Sequence, residues 1–87
     1  MSEIGGQIDQ MDQLGTSFNG RSQEVESLMS SLRGEVHAAY WKGGAADRFR
    51  SAWDSEYEPA LRNLSAALIE ASDEVKSRAR GLESAGG

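Results

Sequence analysis

Few residues of this chain could do chemistry, and their spacing limits what that chemistry could be. Asp54, Glu56 and Glu58 form the densest acidic run, the raw material for paired catalytic carboxylates or a cation site. Residues two apart on a helix point to different faces, so the three do not converge and read as a solvated surface. The single histidine, His37, has no Ser, Cys or Asp arrangement beside it that would make it a base. Serines are plentiful, yet no Gly-x-Ser-x-Gly elbow presents one as a nucleophile. Without cysteine there is no disulfide and no thiolate zinc site. Gly43-Gly44 is surrounded by neither a P-loop nor a dinucleotide-binding pattern. The chain reads as non-enzymatic, with no catalytic residue, no metal site and no cofactor.

What remains is Trp41, in the segment Tyr40-Trp41-Lys42-Gly43-Gly44 near the middle of 87 residues. A tryptophan there is either a packing anchor that staples a turn or a knob offered to a partner. Its place beside two glycines keeps the second reading open.

The elements on either side of this turn must position it. Before it, Ile4, Met11, Phe18, Val25, Leu32 and Ala39 fall on one seven-residue step, and Ile8, Gly15, Ser22, Met29 and Val36 fall on a second. Leu14 and Leu28 widen the stripe. Alternating spacings of four and three keep one seam of a helix turned towards a neighbour. The pattern predicts a first helix over about 7–40; the alternative is that residues 1 to about 7 fray and the helix is soft near Gly15 and Gly20. Small side chains at Gly15 and Ser22 would let a neighbouring helix come close.

After the turn at 41–44, Phe49, Trp53, Tyr57, Ala60, Leu64, Leu68, Ala71, Val75, Ala79 and Leu82 recur every three or four residues. That spacing predicts an amphipathic helix over about 45–80. Gly44 is placed to cap its start, and Gly81 to stop it in a left-handed conformation. Pro59 lacks an N–H and disfavours helical geometry at Glu58, so the helix is expected to kink there, or else to divide. Because the stripe keeps phase across the proline, a continuous kinked helix is preferred. Residues 83–87 read as a disordered tail.

A short turn between two long helices makes them antiparallel. The fold class is therefore all-α, a single helical-hairpin domain over 1–87. The apolar positions spread wider than a two-helix seam requires, and a long exposed apolar band marks an interaction site. Pairing with a second hairpin would complete a four-helix bundle. The stripe expected to form the core and the dimer contact is Met11, Phe18, Val25, Leu28, Leu32, Val36, Phe49, Trp53, Leu64, Leu68 and Val75.

Bulk properties narrow the partners. A net charge of −5 without a basic cluster argues against nucleic acid and against an anionic membrane surface. No run approaches the ~20 apolar residues that span a bilayer. Met1-Ser2-Glu3-Ile4-Gly5-Gly6 has neither a basic region nor an apolar one, so a cleavable secretory signal is not expected.

Trp41-Lys42-Gly43, followed by Gly44-Ala45-Ala46, Phe49 and Trp53 and then the Leu61/Leu64/Leu68 helix, resembles the WXG-motif family of small ESAT-like early secreted antigens. The resemblance covers essentially the whole chain. It implies a hairpin that dimerises as an antiparallel four-helix bundle, with itself or with an unlike paralogue. It further implies export in the folded state by a type VII secretion system and its membrane ATPase, without a cleaved signal. In that family a composite signal pairs the Trp-x-Gly turn of one subunit with a Tyr-x-x-x-acid tail of the other. Carried over, Trp41 and Gly43 would be the turn half. The segment Arg80-Gly81-Leu82-Glu83-Ser84-Ala85 has no such tyrosine, which favours a heterodimer whose partner brings the tail. Two other readings stand beside this one. The first is an intracellular, chaperone-like helical partner of a larger secreted toxin; the second is a structural homodimer with no link to secretion.

Overall fold

A computed structural model describes residues 3–86. Helix α1 runs Glu3–Ala38 and helix α2 runs Gly44–Ala52. A π-helical turn, Trp53–Tyr57, then joins α2 to helix α3, Glu58–Gly86. Together they form an antiparallel helical hairpin, 65 × 17 × 12 Å, with no strand among the described residues. The expected hairpin is the fold, although its details depart from the sequence reading in four places.

α1 begins four residues earlier than periodicity suggested, at Glu3. At the turn, the cap of α2 is Gly43 rather than Gly44. The Gly43 carbonyl accepts the first helical hydrogen bond, from Asp47 N–H at 3.0 Å, and its φ of 110° is a conformation that favours glycine. α3 does not stop at Gly81 but continues through 83–86, where a disordered tail was expected; Gly87 lies outside the described residues. Along this continuation Leu82 is half-buried in line with Leu68 and Val75, and Glu83 pairs with Arg80 at 3.4 Å.

The fourth departure is at Pro59. There the chain widens by one residue, with the Glu58 N–H bonding to the Trp53 carbonyl, a turn that α-periodicity did not predict. Proline cannot donate to the carbonyl four residues back, and its ring crowds that carbonyl. A π turn takes up the misfit without ending the helix.

That extra residue resets the phase. Ala46 and Trp53 are buried seven residues apart, but the next buried position is Glu58, and from there the seven-residue step resumes at Ser65, Ser72 and Ala79. A continuous α-helix would place Tyr57 under Trp53. The π turn places Glu58 there instead and swings Tyr57 outwards.

The seam between α1 and α3 is made mostly of small and polar side chains. Gly15, Ser22 and Met29 of α1 are buried against the Glu58–Ser65–Ser72–Ala79 line of α3. Ser22 Oγ and Ser65 Oγ share a hydrogen bond at 2.8 Å, and Ser72 Oγ donates to the Gly15 carbonyl at 2.6 Å. A Cβ on Gly15 would lie 2.7 Å from Lys76 Cγ, so the helices meet there only because the side chain is absent. At the open end, Arg80 bonds Asp12 across the hairpin at 2.7 Å.

Candidate functional site

Apart from Met29, the large apolar residues of α1 and α3 are not in this seam. Leu14 and Leu28 each precede a buried position of α1 by one residue, which turns them about 100° away from it. Tyr57, Leu64 and Ala71 stand in the same relation to Glu58, Ser65 and Ser72. Because the helices are antiparallel, this rotation carries both sets to the same side of the hairpin. A groove lined by Leu14 and Phe18 from α1 and by Ala71 and Val75 from α3 lies on that side. Leu14, Leu28 and Leu64 are 48%, 50% and 47% exposed. Met11, Phe18, Val25, Leu32, Val36, Leu68 and Val75 are half-buried between this face and the seam. Of the expected stripe, Trp53 is buried and Phe49, Leu28 and Leu64 are exposed. Among the described residues, the buried apolar side chains are Met29, Ala46, Trp53 and Ala79.

The face continues into the tip as a row of aromatic rings. Trp41 and Phe49 have centroids 5.8 Å apart, Phe49 and Tyr57 are 6.1 Å apart, and Trp53 lies 6.5 Å from Tyr57, all in tilted arrangements. Such pairs attract through the ring quadrupole as well as by area burial. The phase shift at the π turn is what brings Tyr57 into this row. At the apex Tyr40 stands almost fully exposed, with Lys42 Nζ 5.6 Å from its ring centroid.

Two polar clusters hold the tip. In the first, Arg50 reaches back from α2 to the end of α1. Its Nε donates to the Val36 carbonyl at 3.0 Å, Nη2 to Ala39 at 2.8 Å and Nη1 to Trp41 at 2.9 Å. The second centres on Glu58, which the sequence reading placed on a solvated surface and which is in fact buried. Its carboxylate accepts from Arg33 Nε at 2.8 Å, Trp53 Nε1 at 3.1 Å and Arg62 Nη2 at 3.2 Å. The Arg33 hydrogen bond holds the Glu58 pKa below the ordinary carboxylate value against the opposing effect of burial, and Trp53 and Arg62 add to it. The same bond raises the pKa of Arg33. Asp54 and Glu56 are exposed, and Asp54 pairs with His37 at 3.1 Å. No helix among the described residues is long and apolar enough to cross a membrane.

A two-helix rod with a Trp-x-Gly apex and one uncovered apolar side defines a small hairpin protein of the ESAT-like kind. The chain belongs to the WXG100 family, described as proteins of 100 residues with WXG, whose model matches residues 3–86. That family comprises small, helical, secreted-type proteins. No curated protein and no solved structure matches the chain.

Proposed function

We propose that the chain is a non-enzymatic subunit of a helical-hairpin dimer exported by a type VII secretion system, with Trp41 and Gly43 as one half of a composite export signal. The observation that carries this reading is the uncovered apolar side. The hairpin closes on glycine and serine and turns Leu14, Leu28 and Leu64 outwards, an arrangement suited to receiving a second hairpin. The expected partner is a paralogous hairpin, one that carries the Tyr-x-x-x-acid motif which α3 does not contain. The secretion ATPase is the expected reader.

The test has two parts. Sedimentation equilibrium of the chain, alone and mixed with a neighbouring hairpin paralogue, should show self-association or a complex. A cooperatively melting monomer at micromolar concentration that binds no paralogue sinks the dimer. Export of the complex should then depend on Trp41, and undiminished secretion of Trp41→Ala removes the signal role.

A further inference from the structure

We infer that Arg50 is the positioning residue of the Trp41 turn, a role that rests on the export reading above. A helix ends with carbonyls that have no partner within it, and the common remedy is a left-handed glycine just past the end. α1 has none: it ends at Ala38, and among the described residues only Gly43 has a positive φ. Arg50 takes over that office from across the turn. Its three guanidinium nitrogens donate to the carbonyls of Val36, Ala39 and Trp41, which spans the last turn of α1 and the first half of the connection. The positive charge also sits at the negative end of the α1 dipole.

The consequence falls on Trp41. Its backbone is held by Arg50, and its ring lies 5.8 Å from that of Phe49, the residue next to Arg50 in the chain. Both restraints on the indole therefore issue from one stretch of α2. With its carbonyl occupied within the chain, the turn presents side chains rather than backbone to a reader. Those are the half-exposed Trp41 and the Lys42–Tyr40 pair. A lysine at position 50 carries the charge but offers one nitrogen in place of a planar fork, so it cannot hold three fanned carbonyls.

Arg50→Lys is the test, read on the full chain by the indole N–H signals of Trp41 and Trp53 in two-dimensional NMR and by export from the producing cell. The expected result is a shifted or broadened Trp41 signal, an unmoved Trp53 signal, unchanged helicity and loss of secretion. An unmoved Trp41 signal overturns the inference. So does a moved signal with secretion intact, provided Trp41→Ala itself is not exported. Loss of helicity along the whole chain would make Arg50 a folding residue and overturn it equally. If Trp41→Ala is exported normally, the export reading fails instead, and the indole signals alone decide whether Arg50 holds the turn.

Discussion

Ser22 and Ser65 meet at 2.8 Å in the middle of the hairpin, and Ser65 also lies 3.3 Å from the Ser22 carbonyl. A hydroxyl pair thus occupies the place where a helical hairpin ordinarily packs leucine. Removing Ser65 leaves the buried Ser22 hydroxyl without this partner, at a cost of about 1–3 kcal/mol; removing the Ser22 hydroxyl leaves Ser65 its bond to the Ser22 carbonyl and costs less, and removing both is nearly neutral. Ser65→Ala should therefore lower the melting temperature more than Ser22→Ala, and the double variant should recover most of the Ser65→Ala loss. Additive losses in thermal melts would mean that the pair is not coupled.

Glycines along α1 should divide by environment. At Gly15 a Cβ would stand 2.7 Å from Lys76 Cγ and 3.1 Å from Val75 Cγ1, while at Gly20 and Gly34 it would meet nothing within 4 Å. Gly15→Ala is expected to destabilise by about 1–3 kcal/mol through overpacking. Gly20→Ala and Gly34→Ala are expected to stabilise by about 0.5–1 kcal/mol through helix propensity. Denaturant melts that rank the three alike would place the close approach elsewhere.

Charging the outer face should spare the hairpin and break the assembly. Leu28 and Leu64 are half-exposed in the single chain, so Leu28→Asp or Leu64→Asp should leave helicity largely intact. In a dimer the same carboxylate is buried unpaired, at a cost of several kcal/mol, whereas changes at Asp54 or Glu56 stay within about ±0.5 kcal/mol. Sedimentation of the two sets side by side separates them, and equal effects would show that the dimer face lies elsewhere.

Acid should loosen the π turn through Glu58. Because its folded pKa lies below the ordinary value, the unfolded chain takes up the proton first as pH falls. The contribution of Glu58 is therefore fully present above the ordinary carboxylate range, about pH 4.3, and is lost as pH drops towards the folded value. Glu58→Gln should be less stable at neutral pH and should flatten this part of the acid profile. A profile unchanged by the substitution would assign the acid sensitivity to other carboxylates.

Trp41→Ala should cost little stability, because the side chain is 45% exposed and touches one flank of Phe49. Truncation of a packing anchor costs about 3–5 kcal/mol, and a melting shift of that size would make Trp41 structural. The expected outcome is near-normal helicity and dimer affinity with export abolished.

The hairpin was legible because seven-residue steps on both sides of a glycine turn admit few other folds. Gly15 and Ser22 could be placed on the seam for the same reason. Glu58 could not: its burial follows from a one-residue change of phase, and such a turn has no periodicity of its own. Reading α-period straight across Pro59 put Tyr57 in line with Trp53 and left Glu58 in solvent. Arg50 was equally invisible, since an arginine on a polar helix face looks the same whether it meets water or three carbonyls. The continuation of α3 past Gly81 was missed because the glycine was read as a stop, although the apolar stripe already extended to Leu82.

The π turn sets a condition on whatever covers the apolar side. A partner helix with an unbroken seven-residue repeat can stay in step with the positions on one side of Trp53–Tyr57 only, since the positions beyond are displaced by one residue. To follow the whole length from Val75 to Phe49, the partner needs a skip of its own at the matching height, or it must end there and leave the aromatic apex to a different segment.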